Sequence, residues 1–206
     1  MKKLLILLFS IFFLSSPSVF AEDISDFEIE GISIGDSLLD YMTEEEILKE
    51  IELYDGYQYL NEPFKYTEIN IKKNFRTYEL LAVFIKNNST SEYITNKNEK
   101  YIILSMRGAT RYNEDFDSCI AKRDEIVSEL SKVFPNADKS ESFFKHAVDP
   151  SGNSIVDAVY FELDSGVESE VSCYNFEETL RIKKNWAEGL QVSIDSEEIT
   201  SWLSDY

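Results

Sequence analysis

The amino-acid sequence predicts an α+β fold, in which helices pack on an antiparallel sheet. Three observations lead to this prediction. Several short stretches alternate apolar and polar residues, as strands with one buried face do. Residues 118–134 instead repeat apolar side chains at helical spacing. No linker is long or flexible enough to separate independent domains, and 206 residues with 43% hydrophobic side chains suit one packed core.

The first third begins with short elements. A first strand is expected around Ile29. Thr43 and Glu46 have the spacing of a capping box, which predicts a short helix over residues 44–52. The acids of its first turn suit the positive end of the helix dipole and are not interpreted as a binding cluster. The expected buried face consists of Ile47, Leu48 and Ile51.

The middle of the chain predicts a set of strands followed by the longest helix. Residues 66–71 alternate, and residues 77–85 are apolar on both faces, which is typical of a central strand. After a polar loop, residues 101–106 form another apolar strand, and 107–116 read as irregular. The helix over 118–134 should bury Cys119, Ile126, Leu130 and Val133 and end before Pro135.

The last third predicts hairpins. A strand over 142–148 leads into the turn at 149–153, and Gly166 marks a second tight turn. Residues 180–184 and 190–194 read as a third hairpin, and Asp195 is placed to cap a final helix. The inward positions are Val159, Phe161 and Leu163, then Val167, Val171 and Cys173, then Ile199, Trp202 and Leu203. A helix followed by three or four strands thus occurs twice, which raises the hypothesis of an internal repeat.

The first 21 residues have the pattern of a secretory signal peptide. Two lysines precede the apolar run 4–14, and Ala21 occupies the cleavage position. The run is about half as long as a bilayer crossing requires, and no later stretch is long and apolar enough to span a membrane. The prediction is a periplasmic protein made of a signal peptide, 1–21, and a single α+β domain, 22–206.

The charge excludes one class of partner. The net charge is −19, and removal of the signal peptide would leave 18 basic and 39 acidic side chains, a net charge of −21. Sequence-independent binding of nucleic acid depends on Lys and Arg, so it is not expected. Such a charge attracts cations or basic partners, or it serves solubility alone. The sequence leaves both interpretations open.

Cys119 and Cys173 are the only cysteines, and both lie in the exported part. Two cysteines in an oxidising compartment usually pair. Cys119 begins the amphipathic helix, and Cys173 lies on the apolar face of an alternating strand, so both sulfurs should point toward one helix–sheet interface. We therefore predict a disulfide. The alternative, a redox-active or metal-binding thiol pair, lacks a C-x-x-C motif and companion ligands.

The sequence carries no motif for a familiar active site. The single His146 excludes multi-histidine zinc sites, and no calcium loop, nucleophile elbow, Walker A motif or dinucleotide fingerprint is present. We predict no catalytic residue, no metal and no cofactor. The turn DPSGN at 149–153 resembles one in the glyoxalase and extradiol-dioxygenase superfamily. There it precedes a metal-binding glutamate, a position that Val156 occupies here.

Three aromatic residues are candidates for ligand contact. Tyr160 and Tyr174 fall on the polar faces of neighbouring strands, and Trp186 falls in a predicted loop. Exposed aromatic rings stack on sugars and peptides. Cross-strand packing is the alternative interpretation of the same residues.

Segments spread over most of the mature chain carry a family resemblance: GISIGDSLLD at 31–40, the helix after Cys119, DPSGNSIVDAVYFELDSG at 149–166, the pair Cys173-Tyr174 and VSIDSEEITSWL at 192–203. In these segments the chain resembles uncharacterised exported proteins of marine alphaproteobacteria. The resemblance implies a location in the cell envelope. Because that group has no assigned activity, it implies no particular function.

The predicted export, the negative charge, the aromatic residues on strands and the missing catalytic motifs together predict a non-catalytic periplasmic binding or envelope-interaction protein. Its partner would be an envelope protein, a peptide or a glycan. The alternative is an envelope hydrolase that uses paired carboxylates, because 39 acids offer many pairs. A deep cleft with two desolvated acids would favour the hydrolase, whereas a sheet face with exposed Tyr160, Tyr174 and Trp186 would favour the binding protein.

Overall fold

The computed structural model describes residues 27–53, 66–86, 96–113, 115–184 and 186–204. Within these ranges it confirms the α+β fold, with four α-helices and two antiparallel sheets. The predicted signal peptide, the connector 55–63 and most of the polar loop 86–100 lie outside the described residues.

The smaller sheet is a hairpin of two short strands, β1 (Glu28–Ile29) and β2 (Ile32–Ser33). The larger sheet contains β3 (Tyr66–Ile71), β4 (Leu80–Lys86), β5 (Ile103–Arg111), β6 (Asp138–Lys145), β7 (Ile155–Glu162), β8 (Glu168–Asn175) and β9 (Gly189–Asp195). The helices are α1 (Glu44–Glu52), α2 (Phe116–Val133), α3 (Glu178–Lys184) and α4 (Glu197–Ser204).

The larger sheet has the strand order β3-β4-β5-β9-β8-β7-β6, and all neighbouring strands are antiparallel. It consists of two meanders that join through their last strands, β5 and β9. The first meander follows α1, and the second follows α2. The predicted pattern of a helix followed by three or four strands is therefore present twice, although α3 interrupts the second copy.

One face of this sheet packs against α1, α2 and the β1–β2 hairpin to form the main core. Its fully buried members include Leu38, Ile47, Ile69, Leu81, Met106, Val171 and Ile194. A disulfide joins Cys119 of α2 to Cys173 of β8, with a Cα–Cα distance of 6.0 Å and both residues buried. The predicted pairing is confirmed, and it links the longest helix directly to the second meander.

The opposite face is covered at one end by α4. Ile199 and Trp202 pack there on Tyr66, Phe84 and Leu104. The rings of Tyr66 and Trp202 lie 4.9 Å apart. The prediction that Ile199 and Trp202 are buried is confirmed.

Local polar residues explain where two helices begin. The predicted capping box is present in α1: the Glu46 carboxylate accepts from the Thr43 N–H at 2.8 Å, and the Thr43 hydroxyl accepts from the Glu46 N–H at 3.3 Å. The expected cap of α4 was wrong. Asp195 is the last residue of β9, and the Ser196 hydroxyl accepts from the Ile199 N–H at 3.4 Å.

Three predicted elements were wholly or partly wrong. Residues 107–111 continue β5, since Arg107 to Arg111 pair with β9, and α2 begins earlier than expected, at Phe116. Residues 180–184 belong to α3 and not to a strand; the Leu180 N–H donates to the Glu177 carboxylate at 2.8 Å and starts a helical turn. The strand expected over 142–148 is β6, which ends at Lys145.

Two predicted helix faces were partly wrong. Leu48 of α1 is 46% exposed, whereas Ile47 is fully buried. In α2, Val133 is 37% exposed and Val127 is buried in its place. Neighbouring helical positions differ by about 100° around the axis, so spacing alone leaves the buried edge uncertain by one residue.

Candidate functional site

The alternation of β8 separates core residues from a second, polar set. Val171 and Cys173 point into the main core. The residues between them and on either side, which lie on the opposite face, are Glu168, Glu170, Ser172 and Tyr174. The neighbouring strands contribute Gln191, Ser193 and Asp195 from β9, Tyr160 from β7 and Arg107 from β5. We call this set of nine residues the polar face.

Carboxylates lie next to one another on the polar face. Glu168 and Asp195 are directly opposite across β8 and β9, and Glu170 follows on β8. Burial is the largest cause that raises the pKa of each of the three acids. The charge of Asp195 raises the pKa of Glu168 further. Like charges directly opposite each other destabilise a sheet, so folding alone does not explain this arrangement.

Arg107 is a cation that acts on two of these acids. Its positive charge lowers the pKa of both Glu170 and Asp195, against the larger effect of burial. Its guanidinium also forms an ion pair with Glu68 of β3. One guanidinium therefore acts on three carboxylates and forms an ion pair with one of them, Glu68.

Ser172 lies between the acids and the aromatic end of the polar face. The residue is fully buried, and its hydroxyl has no hydrogen bond of normal geometry to a described residue. Hydrogen bonding with Ser172 nevertheless lowers the pKa of Glu170 and of Tyr174, against the larger effect of burial. Leaving a buried hydroxyl without a well-formed hydrogen bond costs stability.

Two tyrosines border the carboxylates. Tyr160 lies opposite Glu170 across β7 and β8. Burial, followed by the charges of Glu170 and Glu168, raises the pKa of Tyr160 to about 12. Burial and then Glu170 raise the pKa of Tyr174. Both phenols therefore keep their protons at neutral pH and can donate hydrogen bonds.

An aromatic cluster extends the polar face beyond Tyr174. The ring of Phe176 lies 5.7 Å from that of Tyr174 and 4.9 Å from that of Trp186. His146, at the end of β6, lies 5.3 Å from Phe176 and 5.4 Å from Trp186. Among the predicted candidates, the structure thus brings Tyr174 and Trp186 into one cluster, whereas Tyr160 lies beside the carboxylates.

A small pocket adjoins the same end. Its volume is about 130 Å³, and Tyr174 and Glu188 line it together with Arg111 and Gln191. Neither Glu170 nor Asp195 lines it. Pockets for drug-sized ligands measure roughly 300–1,000 Å³, so this one suits a single side chain or a small group.

Gly189 shapes the end of the polar face where β9 begins. Its φ is +135°, and a Cβ at this position would lie 2.5 Å from the Thr110 carbonyl oxygen and the Tyr112 nitrogen. Only glycine fits such a backbone conformation and such a close approach. The contact between the two meanders therefore depends on this residue.

The DPSGN turn has a structural role. The Asp149 carboxylate accepts from the backbone N–H groups of Ser151 at 2.8 Å, Asn153 at 3.1 Å and Ser154 at 2.7 Å. Hydrogen bonds from Ser151, and then from Ser154, hold the pKa of Asp149 well below its usual value. The interpretation of this segment as a well-formed hairpin turn is confirmed.

Two of the four cluster rings, Tyr174 and Trp186, were predicted as candidates for ligand contact, but no charged residue of the polar face was. Arg107 lies in a segment that was predicted to be irregular, and Asp195 was predicted to cap a helix. The sequence does contain a pattern that places Asp195 on the polar side of a strand, because Gln191, Ser193 and Asp195 alternate with apolar residues. What the sequence lacked was the strand register that places Asp195 opposite Glu168.

Two features are absent from the described part of the chain. No group of three or more His, Cys, Asp or Glu side chains there is arranged to hold a metal ion. Within the same ranges, no helix has the length and apolar character needed to cross a bilayer. Comparison of the chain with known protein families, curated proteins and solved structures finds no match.

Proposed function

We propose that this protein is a non-catalytic, exported binding protein whose polar face takes a positively charged ligand or a basic segment of an envelope partner. The observation that carries the proposal is the opposed pair Glu168–Asp195 with Glu170 beside it. A cation placed among these acids would relieve their repulsion and replace part of the hydration that burial removes. The free energy gained in this way on binding would favour the complex over the free protein.

The aromatic residues add a second contribution to binding. Tyr160 borders the acids, and Tyr174 leads to the rings of Phe176 and Trp186. A cation over the face of such a ring gains about 0.5–2 kcal/mol, depending on how far it is desolvated. The combination favours lysine or arginine side chains in a peptide over a small inorganic cation, because a peptide can reach both parts of the face.

A location outside the cytoplasm belongs to the same proposal. The residues that carry the signal, 1–21, lie outside the described structure. Support comes from the Cys119–Cys173 disulfide, because such bonds persist mainly in oxidising compartments.

A hydrolase that uses paired carboxylates is the second candidate. It is favoured by the raised pKa of Glu170 and Asp195, since a general acid must keep its proton near neutral pH. The pocket beside the polar face counts against it, because neither acid lines that pocket. The binding function is therefore the better supported of the two.

Calorimetric titration with a tri-lysine peptide tests the proposal. The double variant Glu170→Gln/Asp195→Asn should weaken binding at least about tenfold, because two desolvated charges are lost. The matched control is Asp117→Asn/Glu129→Gln, which removes the same net charge from exposed positions on α2. This control should bind tri-lysine as tightly as the wild type does. Added salt should weaken tri-lysine binding to the wild type and to the control.

The same titration can contradict the proposal. Equal weakening in both double variants would mean that only overall charge matters. A tri-glutamate peptide that binds as tightly as tri-lysine would also exclude a cation-binding face. Turnover of chromogenic glycosides that is lost in the Glu170→Gln/Asp195→Asn variant would favour the hydrolase.

A further inference from the structure

The β6 edge of the larger sheet is exposed along its whole length. In the described structure β6 pairs with β7 alone, and Ser142 is its only partly buried residue. Phe143 is 65% exposed and Phe144 40%. An exposed edge strand of eight residues presents a ready template for another strand.

The outward hydrogen-bonding groups of β6 belong to its odd-numbered residues. The His146 N–H donates to the Ser154 carbonyl at 2.9 Å and continues the β6–β7 register. Main-chain groups alternate in direction along a strand, so even-numbered residues turn theirs toward β7. The N–H and C=O groups that face outward are those of Lys139, Glu141, Phe143 and Lys145.

We propose that β6 pairs antiparallel with β6 of a second copy of this chain, about a two-fold axis at Phe143. Such an axis, normal to the sheet, pairs odd-numbered residues with odd-numbered residues, which is what the outward groups require. Glu141 of each copy then lies opposite Lys145 of the other, and the two Phe143 rings meet at the axis. About six main-chain hydrogen bonds form over 141–145.

Other registers are less favourable. An axis at Glu141 places two carboxylates opposite each other, and an axis at Ser142 places Lys139 opposite Lys145. An axis at Ser140 forms Lys139–Glu141 pairs but leaves Phe143 outside the paired strands. The charges and the apolar residues of β6 therefore select the same register, and like-charge contacts oppose two of the alternatives.

Sedimentation velocity on the oxidised mature chain tests this pairing, which does not depend on the proposed binding function. The wild type should show a concentration-dependent monomer–dimer equilibrium. Lys145→Glu and Glu141→Lys should each raise the dimer dissociation constant about tenfold or more, because each creates two like-charge contacts. The double variant Glu141→Lys/Lys145→Glu should restore dimerisation.

Two further variants make the test specific. Lys139→Glu changes the same charge on the same strand. It removes the ion pair that Lys139 forms with Glu141 within one copy but no charge contact between the copies, so it should weaken dimerisation far less than Lys145→Glu does. Phe143→Pro removes an outward N–H at the axis but no bond to β7, so it should abolish the dimer and retain the circular dichroism spectrum.

Three results would overturn the pairing. The first is a monomer at all concentrations up to about 300 µM, where even a dissociation constant of ~100 µM populates dimers. The second is a charge-swapped double variant that stays monomeric. The third is a dimer that Lys139→Glu disrupts and Lys145→Glu does not, since another register would then hold.

Discussion

The two faces of β8 differ in what they contribute. Val171 and Cys173 are fully buried in the main core, and the disulfide fixes that face to α2. On the other face, Glu170 and Ser172 are removed from water without full compensation. One face thus carries the contacts that stabilise the fold, and the other carries groups that cost stability. Groups of the second kind are typical of binding sites, where a ligand supplies what the fold does not.

Removal of the disulfide should have the largest effect on stability. The Cys119→Ala/Cys173→Ala variant loses a cross-link with a sequence separation of 54 residues. In the chain-entropy model this lowers the free energy of unfolding by about 4 kcal/mol. Urea unfolding measures the loss, and reduced wild-type protein is the control. A loss below about 1 kcal/mol would show that the disulfide is not what stabilises the core face.

Arg107→Gln should have the next largest effect, and it acts on the polar face. The change leaves Glu68 without its ion-pair partner and removes the cation that lowers the pKa of Glu170 and Asp195. The expected loss is about 2 kcal/mol at neutral pH, less than for a fully buried pair, because the Arg107 side chain is 35% exposed. Unfolding near pH 7 and near pH 4 should show a smaller loss in acid, because burial raises the pKa of Glu170 and Asp195 and both take up protons as the pH falls. An equal loss at both pH values would contradict this account.

Asp195→Asn should change the dependence of stability on pH. The pKa of Asp195 is raised in the fold, mainly by burial, and is ordinary, about 4, in the unfolded chain. Between these two values the folded protein binds more protons, so stability falls as pH rises through this window. The variant removes this decrease and should gain stability relative to wild type as pH increases. A constant difference from about pH 4 to about pH 8 would mean that Asp195 is not desolvated.

Asp149 provides the opposite case within the same chain. Its pKa is held well below the usual value, so it contributes stability above about pH 4, and that contribution is lost as pH falls through its folded pKa. The Asp149→Asn variant should therefore be less stable than wild type at neutral pH. Unfolding curves at several pH values can therefore compare the two aspartates directly. As pH rises, ionised Asp149 stabilises the folded state, whereas ionised Asp195 destabilises it.

Tyr160→Phe should have the smallest effect on stability. It removes only a half-buried hydroxyl, so the free energy of unfolding should change by no more than about 0.5 kcal/mol. Affinity for tri-lysine should fall by roughly threefold if that hydroxyl hydrogen-bonds to the bound peptide. A large loss of stability with no loss of affinity would assign Tyr160 to cross-strand packing.

Local patterns predicted the parts of the fold that local chemistry determines. The capping box of α1, the turn at Asp149 and the alternation that directs Cys173 inward all follow from neighbouring residues. The prediction of a strand at residues 180–184 was wrong because a short alternating segment is compatible with either a strand or a helix. The cap at Glu177 favours the helix. Long-range pairing was not accessible from one sequence.

The candidate site divides in the same way. Tyr160 and Tyr174 could be assigned to a polar face because alternation is visible in each strand. Their relation to Arg107 and Asp195 depends on β5 and β9 pairing where the two meanders meet. Because these residues are far apart in the sequence, only the fold brings them together.

The most direct test of the central claim is to map tri-lysine binding on the isotope-labelled wild-type protein by NMR. We expect the amide signals of Glu170, Ser172 and Asp195 to shift on titration, together with the indole signal of Trp186. The signals of Asp117 and Glu129, on the exposed side of α2, should stay in place. Shifts spread over acidic residues on both sides of the sheet, or confined to α2, would contradict the claim that the polar face is the binding site.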